Sequence, residues 1–321
     1  MNIQNQDTLP AFISSYAVAD DSIDIRELFF ALWRGKWVIV VSTILFSVCA
    51  VLFAINQPNI YKSNVLLTAA ESSSSSNISR MASQFGGLAS LAGLNLGGGN
   101  LTQADLAIEV LKSRRFVDYF VKKHDLIIPL MASGGWDLAN NKLLINSDIF
   151  NQESNAWVRK TSGLRGVIPS SQEVYDVFIK NILSVSNRKD TGLYTVSVSF
   201  YSPYMSQQWA TWLVEDINQV MRDRSIAETR QNLDYLNKQL QKTSVADMQS
   251  SFFELIEEQT KILMLAEVQN EFVFKVVDPA IVPELKDRPK RAMICILGSL
   301  LGCMLGVAIV LIRFAFSKRR N

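Results

Sequence analysis

Two stretches decide how this chain folds: residues 37–55, WVIVVSTILFSVCAVLFAI, and residues 292–312, AMICILGSLLGCMLGVAIVLI. Neither contains a charged side chain. At about 19 and about 21 residues, each matches the roughly 20 apolar residues that a helix needs to cross a hydrocarbon core. The chain averages, 48% hydrophobic with a net charge of +2, conceal these two blocks. About 36 mostly polar residues precede the first block, whereas a cleaved signal peptide places its apolar core near the N-terminus, so residues 37–55 are expected to be an uncleaved anchor.

Two spans place both termini on one side of a membrane. Arg26, Arg34 and Lys36 precede the first span and only Lys62 follows closely, which by the bias of basic loops puts the N-terminus in the cytoplasm. The second span is flanked evenly, by Lys286, Arg288, Lys290 and Arg291 before it and Arg313, Lys318, Arg319 and Arg320 after it, so the first span sets the orientation. Cys49, Cys295 and Cys303 all fall inside the spans. The large loop therefore has no thiol to oxidise, and an oxidising periplasm is compatible with it. Before the first span, Ile25, Leu28, Phe29 and Leu32 share a helical face that is expected to lie along the cytoplasmic membrane surface, or simply to extend the span.

Within the loop, residues 61–70 (YKSNVLLTAA) read as a strand, followed by the serine run 72–76 and a glycine- and leucine-rich stretch, 85–99. Leu88, Leu91, Leu94 and Leu96 among those glycines point to contact with a neighbouring subunit or with lipid. Thr102 with Asp105 has the spacing of a capping box and opens a helical pair, and Ser170 with Glu173 opens another helix over 174–182. Residues 183–186 and 193–201 read as paired antiparallel strands, with 190–192 as their turn. Tyr194, Val196, Val198 and Phe200 alternate with Thr195, Ser197 and Ser199, which predicts one buried and one wet face.

No glycine or proline interrupts residues 205–242, so at about 1.5 Å per residue a single helix reaches roughly 57 Å. Trp209, Leu213, Ile217 and Met221 give its first half a core-like stripe, but Leu233, Leu236 and Leu240 alone support its far end. Residues 245–268, with Phe252 and Leu255 among their apolar positions, are expected to fold back as an antiparallel partner, and residues 272–277 to return as a strand. These five, Leu233, Leu236, Leu240, Phe252 and Leu255, are candidate contacts between subunits. Pro279, Pro283 and Pro289 make residues 278–291 a semi-rigid connector. In the second span Gly298, Gly302 and Gly306 recur every fourth residue, clearing one face for close helix approach.

Signs of chemistry are absent from the sequence. His124, the one histidine, has no second ligand nearby and is expected to cap a helix or lie on the surface. Glu254, Glu257 and Glu258 read as a solvated face. No serine elbow and no phosphate-binding lysine motif occurs, and the expected cytoplasmic pieces are too short for a kinase domain. No catalytic residue, cofactor or metal is expected, and nucleic acid is not expected among the partners.

Residues 23–37 (IDIRELFFALWRGKW), 107–126 (AIEVLKSRRFVDYFVKKHDL) and above all 255–283 (LIEEQTKILMLAEVQNEFVFKVVDPAIVP) resemble the bacterial polysaccharide co-polymerases, the chain-length determinant or Wzz-type family, and the likeness in layout covers nearly the whole chain. The resemblance implies an α+β periplasmic domain, with a mixed or antiparallel sheet and a long antiparallel helical hairpin pointing away from the membrane, set between two transmembrane helices. It also implies a ring-like homo-oligomer in the inner membrane. The implied role is non-catalytic: setting the length of a surface polysaccharide, lipopolysaccharide O-antigen first, as an integral membrane polymerase extends it on an undecaprenyl-linked carrier. An exopolysaccharide or capsule export co-polymerase, with a separate kinase and an outer-membrane export protein, is the second expectation; a two-span periplasmic sensor is the outside one. The domains expected are a cytoplasmic tail with an interfacial helix (1–36), the first span (37–55), the periplasmic domain (56–291, hairpin about 205–268, connector 278–291), the second span (292–312) and a basic cytoplasmic tail (313–321).

Overall fold

The computed structural model describes residues 32–70, 102–161, 163, 165–188, 190–243 and 246–318. Most of the interfacial segment, the serine run and the glycine- and leucine-rich stretch lie outside the described residues. In chain order the elements are α1 (Lys36–Asn56), β1 (Tyr61–Ala69), α2 (Gln103–Leu111), α3 (Arg114–Lys123), α4 (Ile127–Ala132), β2 (Ser133–Asp137), β3 (Lys142–Ile145), β4 (Phe150–Asn151), β5 (Ala156–Trp157), α5 (Ser171–Val177), β6 (Leu183–Arg188), β7 (Leu193–Phe200), α6 (Pro203–Lys242), α7 (Ala246–Val268), β8 (Phe274–Asp278) and α8 (Arg291–Lys318). They fall into two compact units: Gln57–Lys290, and the two chain ends, whose described parts centre on α1 and α8.

The unit Gln57–Lys290 is built on a four-stranded sheet in the order β6-β7-β1-β8, with every neighbouring pair antiparallel. Val65 lies opposite Val196 and Leu67 opposite Tyr194, so the apolar alternation of two strands combines on one face. Helices close that face. Phe116, Val117, Phe120 and Val121 recur at helical spacing on α3 and are buried, and they join Phe178, Trp209, Leu213 and Ile217 in one continuous core. The other face is not uniformly wet: Ser197 and Ser199 are buried. β7 is an interior strand, and a serine side chain is too short to rise above the strands on both sides of it.

Local signals in the sequence account for the helix starts. Thr102 and Asp105 form the reciprocal capping box, and the Tyr194 hydroxyl donates to Asp105 Oδ1 at 2.9 Å, which ties the cap of α2 to the sheet. The Thr102 hydroxyl, then the Tyr194 hydroxyl, holds the Asp105 carboxyl below its ordinary pKa. Ser113, Ser170 and Ser202 each accept from a backbone amide in the first turn of α3, α5 and α6, satisfying donors that the helix leaves open. The Glu173 side chain goes elsewhere, to Arg159, and a wider turn over Phe178–Ile182 continues α5 to the start of β6.

The longest element, α6, has 40 residues and therefore extends about 60 Å. Its first half is clamped to the sheet by Asn218, which is 4% exposed. Asn218 Oδ1 accepts from the amides of Val273 and Phe274, both at 2.9 Å, and its Nδ2 donates to the Phe274 carbonyl at 2.9 Å. Glu271 Oε1 accepts from the Val276 amide at 3.1 Å. Side chains thus occupy backbone groups of β8, an edge strand that would otherwise be open to pairing with another chain.

Asn218→Leu leaves two amides and a carbonyl buried without partners, which should cost about 3 kcal/mol. Chemical denaturation of the full-length protein in detergent is expected to show a lower midpoint with an unchanged slope. An unchanged midpoint would mean that the clamp contributes nothing.

Candidate functional site

The residues singled out in the sequence fall at three places. The first is the seam between α1 and α8, which are both long and apolar enough to cross a membrane. A Cβ at Gly298 would collide with Ala50, one at Gly302 would lie 2.7 Å from the Cβ of Phe46, and one at Gly306 would lie 2.8 Å from the Cα of Ile39. Positions ascend on one helix as they descend on the other, so the pair is antiparallel. Without side chains on this face the two backbones meet closely, and the Ser42 hydroxyl donates to the Gly302 carbonyl at 2.8 Å. At the far end Gly35 packs against Val310. The glycine face is thus taken up by the chain's own first apolar helix.

The second is the connector. The Ile60 amide donates to the Arg288 carbonyl at 2.9 Å, and the Asp287 amide donates to the Ile60 carbonyl at 2.8 Å. Ser63 Oγ donates to the Ile281 carbonyl at 2.8 Å, and Gln207 Nε2 to the Ala280 carbonyl at 3.3 Å. The segment containing Pro279, Pro283 and Pro289 is therefore pinned at several points, to Ile60 just before β1, to Ser63 in β1 and to Gln207 in α6. Pro289 follows a cis peptide bond.

The third is the hairpin of α6 and α7. Gln249 Nε2 donates to the Thr243 carbonyl at 2.8 Å, Asn232 Nδ2 meets Gln259 Oε1 at 3.4 Å, and Arg222 Nη1 meets Asn270 Oδ1 at 3.2 Å. These pairs fix an antiparallel register. Leu233, Leu236, Leu240 and Phe252 are half-buried on the sides where the two helices meet, while Leu255 is exposed. Helical spacing puts Met264 and Val268 on the side of α7 away from α6, and both are exposed.

Two charged clusters, one of them at the base of the hairpin, were not legible in the sequence. Asp216, 3% exposed, receives Lys123 Nζ at 2.5 Å and lies 2.9 Å from His124 Nε2. The Asp216 carboxylate pushes the Lys123 ammonium above its ordinary pKa. His124 ends α3 and stacks on Trp212 at 4.0 Å, so its side chain is tucked in and joins α3 to α6. The spacing that brings these together, 92 residues between His124 and Asp216, leaves no local pattern to find. Arg159 clasps Glu173 at 2.5 and 3.1 Å and also donates to the carbonyls of Gly166 and Val167. Among the described residues no group of three His, Cys, Asp or Glu side chains converges as metal ligands would.

The arrangement therefore offers packing surfaces, and comparison with known proteins shows what parts of the chain resemble. Residues 21–124 match the family model Wzz, chain length determinant protein. This part of the chain, from before α1 to the end of α3, is similar to chain length determinant proteins. Residues 235–315 match a second model, GNVR, the G-rich domain on putative tyrosine kinase, which takes in the second half of the hairpin, the connector and most of α8. No curated protein matches the chain. Among solved structures it is similar to a full-length bacterial polysaccharide co-polymerase, at 17% identity and a TM-score of 0.37, over 92% of this chain and 99% of that one. It is also similar to a fragment of WzzB, a polysaccharide co-polymerase from Salmonella Typhimurium, at 13% identity and a TM-score of 0.28, over 72% of this chain and 100% of that one.

Two outcomes are expected from these contacts. Gly302→Leu should push α1 and α8 apart, lowering the temperature at which the detergent-solubilised protein loses helical signal; wild-type melting would exclude close packing at this position. Arg159 is the main cause that holds the Glu173 carboxyl below its ordinary value of 4.5. A depressed carboxylate stabilises the folded state above that value and loses its contribution as pH falls through the folded pKa. Arg159→Met should therefore destabilise the protein at neutral pH and flatten its loss of stability below about pH 4.5, read by denaturation at stepped pH.

Proposed function

We propose that this chain is a non-catalytic co-polymerase that sets the length of a surface polysaccharide while a separate membrane polymerase extends it on an undecaprenyl-linked carrier. The match of residues 21–124 to the chain length determinant model carries this reading. In it α1 and α8 cross the inner membrane as two spans with both termini cytoplasmic, as Arg26, Arg34 and Lys36 favour, and the unit Gln57–Lys290 is periplasmic. Several copies assemble into a ring that acts as scaffold or ruler. The glycine seam and the prolines at 279, 283 and 289 would transmit to the polymerase how the spans are held, so that substitutions there change product length.

O-antigen is the polysaccharide we place first. A second reading has a specific observation behind it: the match of residues 235–315 to a domain described from putative tyrosine kinases. On that reading the chain serves exopolysaccharide or capsule export, with a separate kinase and an outer-membrane export protein as partners.

Deleting the gene and resolving surface polysaccharide by size tests both. Loss of a preferred length, with polymer still at the surface, is the expected result. Unchanged length with polymer trapped inside the envelope would favour the export reading, and no change in either would overturn both. Wild-type length distribution in a Gly302→Leu strain would count against the proposed role of the seam.

A further inference from the structure

A cleft of about 810 Å³ opens beside the lower part of the hairpin, lined by Val110, Phe116 and Tyr119 from the α2–α3 region and Val220 and Arg224 from α6, with Arg115 at its rim. Tyr119 is 39% exposed, and Arg115 makes no ion pair among the described residues. The floor is apolar; at the rim Arg115 is the free basic group among the described residues, while Arg224 pairs with Glu228 at 2.8 Å.

Helical geometry places this cleft relative to α7. Val220 and Arg224 lie one turn apart on α6, while Arg222, Thr229 and Leu233, which share the side of α6 that meets α7, are about half a turn of rotation away from them. The cleft and α7 therefore occupy opposite sides of α6. The pairs Thr243 with Gln249, Asn232 with Gln259 and Arg222 with Asn270 also set heights along the hairpin, and they put Val268 level with Arg224. At that level, facing away from α6, stand Met264 and Val268, which are 63% and 81% exposed. The helix that presents them is acidic, with Asp247, Glu254, Glu257, Glu258 and Glu267 against a single Lys261.

A basic-rimmed apolar cleft on one side and an apolar pair on an acidic helix on the other, at one height, are the two halves of a head-to-tail contact. We infer that Met264 and Val268 of one copy seat in the Val110–Phe116–Tyr119–Val220 cleft of the next, with the unpaired Arg115 turned toward the net acidic α7. Because the two surfaces differ, each copy uses one with each neighbour, and repetition about an axis along the hairpin closes a ring. This rests on the proposed homo-oligomer and names its contact. It differs from a contact through Leu233, Leu236, Leu240 and Phe252, which the hairpin already uses internally.

Cysteine cross-linking of the full-length protein in native membranes tests the contact, in a background where Cys49, Cys295 and Cys303 are replaced by alanine. Tyr119→Cys combined with Val268→Cys is expected to give a ladder of covalent oligomers on oxidation, whereas either substitution alone gives none. Intact oligomers by native mass spectrometry with no bond between positions 119 and 268 would overturn this contact and leave the oligomer reading standing. A chain that stays monomeric at every concentration would instead remove the oligomer reading, and the contact with it. As a second readout, Val268→Asp should raise the concentration needed for assembly at least tenfold while helical signal stays at the wild-type level; unchanged assembly would overturn the contact.

Discussion

The fixed seat of α6 on the sheet is the constraint on which the hairpin depends. A helix of 40 residues paired with one of 23 cannot hold a direction by itself, because beyond Met221 its apolar stripe is thin and its ion pairs, Arg224 with Glu228 and Lys238 with Asp234, are exposed. Such surface pairs contribute little, about 0.3–0.5 kcal/mol each. The seat is different in kind. Trp209, Leu213 and Ile217 are buried against the sheet and α3, Asn218 grips the backbone of β8, and Asp216 receives Lys123 and His124 from the end of α3. Apolar burial holds the helix down, and the buried polar groups, each satisfied, set how it is rotated.

That division sets how firmly each part of the hairpin is held. Near its base the hairpin is rigidly tied to the sheet; further along, α6 and α7 touch mainly each other. The chain's own packing therefore thins along the hairpin from its base. In the unit formed by the chain ends, the constraint is steric. Three glycines on α8 let it approach α1 so closely that an added methyl group would collide with Ala50 at one level and with Phe46 at the next, and the Ser42 hydroxyl donates across the gap.

Much of this was legible in the chain itself, because the signals are local. Apolar runs gave the two spanning-length helices, the Thr102–Asp105 and Ser170–Glu173 spacings gave helix starts, alternation gave β7, and the lack of helix breakers after position 205 gave the long helix. The returning strand begins at Phe274, two residues later than its apolar run suggested. What was not legible depends on distance. Asn218 and Asp216 carry no local signal, because their partners lie 55 and 92 residues away. The wet face expected for Ser197 and Ser199 failed for a similar reason: alternation shows which residues share a face, but not how deep in the sheet the strand lies. The glycine row announced a close approach, and only the structure supplied its partner, α1.

On the proposed function, this chain governs polymer length without making a bond itself. Its most direct test is to supply the purified full-length protein in lipid vesicles with undecaprenyl-linked repeat units, with and without the cognate membrane polymerase, and to size the product. The account predicts no elongation by the chain alone and, with polymerase, a narrower length distribution than polymerase gives unaided. Elongation in the absence of polymerase, or a distribution that the chain leaves unchanged, would contradict it.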